Sequence, residues 1–120
     1  MLDHMTLHVA DFAAGEAFYA SALAPLGYHK MVRHEGVAAF GAQAPQLWMA
    51  GSELAPTPIH IAFVAPDRTS VDAFYEAAMA AGGKDNGAPG LRPHYHEHYY
   101  AAFVHDADGN NIEAVCHTPA

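Results

Sequence analysis

Three side chains in this sequence carry the chemistry of a divalent metal site. His4 and His60 each open a stretch of alternating residues, and Glu113 lies in the otherwise apolar segment Ile112–Cys116. A carboxylate among apolar neighbours is unfavourable unless it faces water or a cation. Two imidazoles and one carboxylate with open positions suit Fe(II), Mn(II), Zn(II) or Ni(II). For each residue taken alone, an exposed strand position is the default interpretation, so the hypothesis depends on how the three are related.

An internal repeat relates the two histidines. His4 and Asp11 match His60 and Asp67 at an offset of 56 residues (60 − 4). The same offset holds without a gap at three further places: Ala17-Phe18-Tyr19 with Ala73-Phe74-Tyr75, Ala22 with Ala78, and Gly27 with Gly83. Such a repeat indicates two copies of one structural unit. A pseudo-two-fold axis would bring equivalent strands together, so both histidines can converge on one point.

The elements that position these residues follow the same order in both halves. Period-two alternation predicts first strands over Leu2–Val9 and Ile59–Ala65, and Asp11 and Asp67 are suitable helix N-caps. Further strands are predicted over Tyr28–His34, Val37–Phe40 and Gln46–Ala50 in the first half, and over His94–His105 and Asn111–His117 in the second. The Gly/Pro-rich segment Lys84–Pro93 predicts a mobile loop, and Asp106–Asn110 predicts a hairpin turn.

Composition fits one small globular domain. Of the 120 residues, 52% are hydrophobic, and no apolar run approaches the ~18 residues of a membrane span. The net charge of −8, with only 5 Lys and Arg, argues against a nucleic-acid partner, because phosphate binding needs clustered cations. The chain has one cysteine, and its start lacks the pattern of a signal peptide. We therefore expect a cytoplasmic protein with no membrane partner.

The chain resembles the vicinal oxygen chelate superfamily, which includes glyoxalase I, extradiol dioxygenases, fosfomycin-resistance transferases and bleomycin-resistance proteins. Three segments carry the resemblance: His4 to Asp11 with Phe18-Tyr19 and Gly27; His60-Ile61-Ala62-Phe63 with Asp67, Phe74-Tyr75 and Gly82-Gly83; and Phe103 to Glu113. The last segment is similar to the family's terminal D-P-D-G-x-x-I-E hairpin, with Ala107 where proline is usual.

The resemblance implies an α+β fold. Two tandem βαβββ modules, about residues 1–51 and 58–118 of a single domain 1–120, would curl mostly antiparallel sheets into a cup around a metal. The family's ligand positions fall on His4, His60 and Glu113. Some members add a carboxylate from the last strand of the first module, where this chain has Gln46-Leu47-Trp48-Met49 and no acid. Three ligands weaken the case for a strict glyoxalase I, which typically uses four, but leave about three octahedral positions for substrate and water.

Around the metal we expect four substrate-binding residues and one catalytic residue besides Glu113. The substrate-binding candidates are Trp48, Arg92, His96 and Tyr100, and Tyr99 is the candidate acid or base. Arg92 is suited to a substrate carboxylate or phosphonate. For each of these residues the alternative is an ordinary strand or solvated side chain.

Two functions remain open at this point. The first is a metal-dependent enzyme, a glyoxalase-like lyase, an extradiol-type dioxygenase or a transferase, whose small-molecule substrate chelates the metal through vicinal oxygens. The alternative is a metal-free protein of the bleomycin-resistance type that sequesters a ligand, for which Trp48 and the tyrosines suit stacking. The presence of three ligand-type residues favours the enzyme, but the sequence does not identify the substrate.

We also expect a homodimer, because small modules around an open cup leave sheet edges and apolar faces to cover. His4 of one chain can then meet His60 and Glu113 of the other. The two imidazole nitrogens and the carboxylate oxygen should converge within about 2.0–2.3 Å of one point, or nearly so without metal. Side chains that point to different regions would favour the sequestering protein.

Overall fold

Both halves of the chain use the same local signal to begin a helix. The Asp11 carboxylate accepts the Ala14 N–H at 3.0 Å, and the Asp67 carboxylate accepts the Ser70 N–H at 2.7 Å. Each cap satisfies an N–H that has no partner inside its helix, which fixes where the helix begins. The predicted spacing from the opening histidine to the helix cap is therefore present in both halves.

The elements confirm two βαβββ modules in the computed structural model, which describes residues 2–53 and 57–120. The first module contains β1 (Met5–Val9), α1 (Phe12–Leu23), a 3-10 helix (Ala24–Leu26), β2 (His29–His34), β3 (Val37–Gly41) and β4 (Leu47–Gly51). The second module contains β5 (His60–Val64), α2 (Arg68–Ala80), β6 (Lys84–Leu91), β7 (Tyr100–His105) and β8 (Asn111–Cys116). The α+β fold class is as predicted.

Each module forms one four-stranded sheet, in the order β1-β4-β3-β2 and β5-β8-β7-β6. The first and last strands of a module are parallel neighbours, and the other pairs are antiparallel. Thr6 lies beside Trp48 in the first sheet, and Ala62 lies beside Glu113 in the second. Because Thr6 and Ala62 are equivalent in the repeat, Trp48 and Glu113 occupy the same place in the two sheets.

The two helices pack against each other and join the modules in one hydrophobic core. Its largest fully buried side chains come from both modules and include Tyr19, Phe40, Phe74 and Ile112. The Tyr19 hydroxyl on α1 donates to the buried Asp106 carboxylate of the second module at 2.5 Å. Within the described part of the chain, neither helix has the length and apolarity needed to cross a membrane.

The prediction of a mobile loop over Lys84–Pro93 was wrong, because Lys84–Leu91 forms strand β6. This strand lies at the edge of its sheet, and two irregularities interrupt its pairing with β7 near Gly87 and Gly90. Edge strands and bulges tolerate proline and glycine, which central strands exclude. Gly87 also has a φ of +148°, and a Cβ there would lie 2.9 Å from the Phe103 ring, so glycine fits the position.

The predicted strand over His94–His105 begins only at Tyr100. Residues 92–99, called the 92–99 loop below, connect β6 to β7. The Arg92 N–H donates to the Tyr99 carbonyl at 2.7 Å, and the Tyr95 N–H donates back to the Arg92 carbonyl at 3.0 Å. The backbone is thus bonded within its own turns instead of in a sheet ladder, which the alternating Tyr and His pattern did not reveal.

Candidate functional site

The outer face of the second sheet carries the best-formed polar cluster. Along β5 the residues alternate, with Ile61 and Phe63 buried toward the helix and His60 exposed on the other face. Glu113 shares that outer face, because it is the register neighbour of Ala62. The His60 Nε2 and the Glu113 Oε1 lie 2.8 Å apart, and the Glu113 side chain is only 2% exposed. A nearly buried carboxylate is therefore paired with a half-exposed imidazole.

Tyr99, from the 92–99 loop, is the second hydrogen-bonding partner of Glu113. Its hydroxyl donates to Oε2, the second oxygen of Glu113. Burial raises the pKa of Tyr99 well above its ordinary value, and the hydrogen bond to the Glu113 carboxylate raises it further. The phenol is accordingly held in its neutral form beside an acceptor, so the two oxygens of Glu113 face a histidine and a tyrosine.

Phe103 and Arg92 flank this pair. Phe103 is the neighbour of Glu113 on β7, and its ring centroid lies 6.3 Å from that of His60. The Arg92 guanidinium stands 5.3 Å from the centre of the Phe103 ring. Its two terminal nitrogens donate to the Gly90 and Ala88 carbonyls at 2.8 and 2.9 Å. Arg92 is close to the site, as expected, and at the same time it braces β6.

His96 reaches the site through a partner that the sequence analysis did not single out. Its Nε2 lies 2.8 Å from Nδ1 of His117, and the two rings are nearly parallel, with centroids 5.1 Å apart. Both rings also contact the Tyr99 ring edge to face, at 5.4 and 5.3 Å. The signal that could have identified His117 is strand parity, since residues 113, 115 and 117 share one face of an extended strand.

Tyr100 does not join this cluster. It is paired with Cys116 across β7 and β8, on the face that packs against α2. Its hydroxyl donates to the Asp72 carboxylate at 2.7 Å, and the Arg68 guanidinium lies 5.1 Å from its ring centre. The hydrogen bond to Asp72 and partial burial raise the pKa of Tyr100. Adjacent strand residues point to opposite faces, so Tyr99 and Tyr100 separate.

His4 lies apart from the His60–Glu113 pair within one chain. Its Nδ1 is 2.7 Å from the Asp3 carboxylate, and its side chain is half exposed. Residues 2–53 and 57–120 contain no group of three or more His, Cys, Asp or Glu side chains that could hold one metal ion. A neutral His4 that donates its Nδ1 proton to Asp3 keeps the Nε2 lone pair free to bind a cation.

A small cavity between the modules borders His4. Its volume is about 140 Å³, and it is lined by Gln46 from the first module and by Ile61, Ala62 and Phe63 from β5. Trp48 is half-buried on the outer face of the first sheet, between Thr6 of β1 and Ala39 of β3. The first module therefore supplies an apolar wall with His4 at its edge, while the second supplies the carboxylate.

The chemistry of the donors on the second sheet fits a divalent ion. Two ligand atoms that bind one ion at about 2.0–2.2 Å, roughly at right angles, lie about 3 Å apart. The 2.8 Å between the His60 nitrogen and the Glu113 oxygen is close to that spacing. Tyr99 stands where a residue that orients a ligating carboxylate would stand. One chain thus supplies two of the three expected donors at a suitable distance.

Comparison with known proteins gives a consistent family. The model described as the Glyoxalase/Bleomycin resistance protein/Dioxygenase superfamily matches residues 1–114. No curated protein sequence matches the chain significantly. Among solved structures, a glyoxalase/bleomycin resistance protein from Albidiferax ferrireducens T118 is 26% identical, with a TM-score of 0.86 over 99% of each chain.

Two further structures share the fold at lower identity. Lactoylglutathione lyase from Agrobacterium tumefaciens is 18% identical with a TM-score of 0.70, over 97% of this chain and 92% of that one. The fosfomycin resistance protein FosX from Mesorhizobium loti is 19% identical with a TM-score of 0.73, over 98% and 92%. Identities this low support a shared architecture and leave the reaction to be argued from the site.

Proposed function

The chain belongs to the Glyoxalase/Bleomycin resistance protein/Dioxygenase superfamily, and from this premise we propose that it is a metal-dependent enzyme acting on a small molecule. Members of the superfamily bind small molecules, often use divalent metals and commonly form dimers. The substrate class proposed here is a compound that chelates the metal through two vicinal oxygens. The reaction is of the lyase, dioxygenase or transferase type.

The observation that carries this proposal is the His60–Glu113 pair. A carboxylate that is 98% shielded from solvent faces an imidazole at 2.8 Å. Burying a charged group is unfavourable, and structures retain such groups where they pair or bind cations. Polar side chains that converge in this way, with the perturbed Tyr99 among them, are a usual mark of a functional site.

We propose that the site is completed by a second copy of the chain. His60 and Glu113 of one copy would hold the ion together with His4 of the other, because His4 does not reach the pair within one chain. Both β1 and β5 lie at sheet edges; His4 immediately precedes β1 and His60 opens β5, so another chain can approach each histidine. The resulting homodimer would contain two equivalent sites, as expected for a two-fold interface.

The protein groups around the ion have separate tasks in this proposal. When bound, the metal would polarise adjacent substrate oxygens and stabilise negative charge. Tyr99 keeps its hydroxyl proton in the hydrogen bond to Glu113 Oε2 and so would orient the carboxylate. Arg92 would attract an anionic substrate group, and Trp48 would exclude water from the apolar side.

Mixing two inactive variants tests the shared site. Purified without chelators, the wild type should contain metal by elemental analysis, whereas His4→Ala and Glu113→Gln alone should contain none. After the two variants are unfolded and refolded together, random pairing should restore about a quarter of the wild-type sites, because each mixed dimer keeps one intact site. His8→Ala is the matched control, since His8 lies on the same exposed face of β1. If neither the wild type nor the refolded mixture contains metal, the proposal is contradicted.

One observation favours a second candidate, the metal-free sequestering protein. Both oxygens of Glu113 already have hydrogen-bonding partners within the chain, His60 and Tyr99, so no cation is required to satisfy them. In this alternative, Trp48 would stack on a flat ligand. This alternative would be supported if the wild type contains no metal and an added flat ligand still quenches the fluorescence of Trp48.

A further inference from the structure

The 92–99 loop is tied to the rest of the second module by side chains. Within the loop, backbone bonds join Arg92 to Tyr99, Tyr95 to Arg92 and Tyr99 to His96 at 2.7–3.2 Å. Two side-chain hydrogen bonds cross from the loop to β8 and the residue after it, His96 to His117 and Tyr99 to Glu113. The position of the Tyr99 hydroxyl therefore depends on how firmly the loop is held.

The hydrogen bonds define the proton positions of the histidine pair when both rings are neutral. The His98 N–H donates to Nδ1 of His96 at 3.1 Å, so this nitrogen is an acceptor. The proton of a neutral His96 must then be on Nε2, which lies 2.8 Å from Nδ1 of His117. His96 is consequently the donor and His117 the acceptor, and only a side chain with an acceptor in that place can replace His117.

The rings of His96 and His117, together with that of Tyr95, enclose Tyr99. Tyr95 packs edge to face against the Tyr99 ring at 4.9 Å, and His96 and His117 do so at 5.4 and 5.3 Å. Two of these neighbours come from the loop and one from the end of β8. The ring is thus fixed at the point where the loop meets the strand, which leaves its hydroxyl directed at Glu113.

We propose that His96 and His117 form a latch that positions Tyr99 on Glu113. This inference rests on the proposed function, in which Glu113 is a ligand whose carboxylate must be oriented. With the latch closed, Tyr99 occupies Oε2 and leaves Oε1 turned to His60. With the latch open, Oε2 loses its donor and the carboxylate is free to rotate. His96 and His117 act through Tyr99, so both are positioning residues.

The ionisation of Tyr99 reports whether the latch is closed, and the measurement needs neither metal nor substrate. Near pH 11 an ordinary tyrosine, with a pKa of about 10, is about nine-tenths ionised. Tyr99 has a raised pKa and should remain protonated, so wild type and Tyr99→Phe should show the same phenolate absorbance. In a His117→Leu background, Tyr99→Phe should remove about one phenolate. His117→Asn, which keeps an acceptor near the Nδ1 position, should behave like the wild type.

Two controls separate the latch from general effects. His94 lies in the same loop but contacts Tyr95 at 4.3 Å, so His94→Leu should leave the Tyr99 signal unchanged. Amide hydrogen exchange should be faster over residues 92–99 in His117→Leu and unchanged in β8. Both histidines are exposed, so the variants should fold. Unaltered Tyr99 ionisation and loop exchange in His117→Leu would overturn the latch.

The latch and the proposed function can fail separately. If the wild type binds metal, His117→Leu should lower the affinity about tenfold, as expected for loss of support to a ligand, and His117→Asn should restore it. If the wild type binds none, the proposed function fails while the ionisation result still decides the latch. A tenfold loss in His94→Leu as well would count against the latch, because it would show a general effect of the loop.

Discussion

The two modules place different chemistry at the same position of the same scaffold. In the first sheet, Trp48 lies between Thr6 of β1 and Ala39 of β3; in the second, Glu113 lies between Ala62 of β5 and Phe103 of β7. The strand order and register are shared, and both first strands carry an exposed histidine. The same position thus carries an indole in the first sheet and a carboxylate in the second.

The modules also differ in what connects their second and third strands. The first module makes this connection with the turn at residues 35–36, and the second uses the 92–99 loop. That loop brings Tyr99 to Glu113, and the first module has no counterpart to it. The second module thus differs from the first in two features, a carboxylate on β8 and a longer loop that brings a hydroxyl to it.

The largest expected effect comes from removing the carboxylate that distinguishes the modules. Glu113→Gln should lower the affinity for divalent metal about 100-fold or more, because it removes a charged ligand while keeping its size. Trp48→Phe, at the equivalent position, should leave the affinity within about twofold by the same reasoning. Isothermal titration calorimetry with Zn(II) or Mn(II) measures both. Equal losses in the two variants would contradict the division of roles.

A second test compares the equivalent tyrosines Tyr19 and Tyr75. Tyr19 is fully buried and donates to buried Asp106, whereas Tyr75 donates to exposed Asp85 at 3.1 Å. Tyr19→Phe should lower the free energy of unfolding by about 1–3 kcal/mol, because it removes a donor from a buried carboxylate. Tyr75→Phe should leave the melting temperature unchanged within error. Urea and thermal unfolding measure the stability of both variants. A larger loss in Tyr75→Phe than in Tyr19→Phe would contradict the prediction.

A third test makes the first module more like the second. Trp48→Glu introduces a carboxylate at the place equivalent to Glu113, within the strand beside β1 and its histidine. If the site lies between two chains, metal affinity should rise about tenfold, because a fourth ligand, the second with a negative charge, is added. Calorimetry at constant ionic strength provides the measurement. An unchanged affinity would mean that Trp48 lies outside the metal's coordination sphere.

The smallest effect concerns stability at high pH. Burial raises the pKa of Tyr19 far above its ordinary value of about 10. The unfolded chain then loses its proton first, so the stabilisation is fully present below about pH 10 and is lost as the pH rises above it. Tyr19→Phe should therefore show a shallower decrease of unfolding free energy above pH 10 than Tyr75→Phe. Parallel slopes in urea titrations would contradict this assignment.

Much of the scaffold could be predicted because its signals are local. Asp11 and Asp67 mark helix starts that their carboxylates do cap, and the repeat predicted two modules. The face of Glu113 followed from strand parity. Strand β6 could not be predicted in this way, since its glycines and Pro89 are tolerated only at a bulged sheet edge. Sequence pattern does not show which strand will be at the edge.

The site was predicted only in part, because sequence pattern does not show which elements meet in space. His60, Glu113 and Tyr99 lie together, while Tyr100 turns to α2 and His117 enters the cluster from beyond β8. Strand parity separates Tyr99 from Tyr100, but it was not applied to this pair in the sequence analysis. Whether His4 reaches the pair depends on the association of two chains, which a single sequence does not specify.

The closure of the 92–99 loop makes it a natural unit for protein engineering. It begins and ends at one backbone hydrogen bond, from the Arg92 N–H to the Tyr99 carbonyl at 2.7 Å, immediately before β7. Loops that tolerate replacement are those whose ends are close and whose backbone is bonded internally. Libraries that vary the residues between these two ends could therefore alter ligand preference while the β6–β7 pairing stays intact, much as antibody loops diversify on a constant framework.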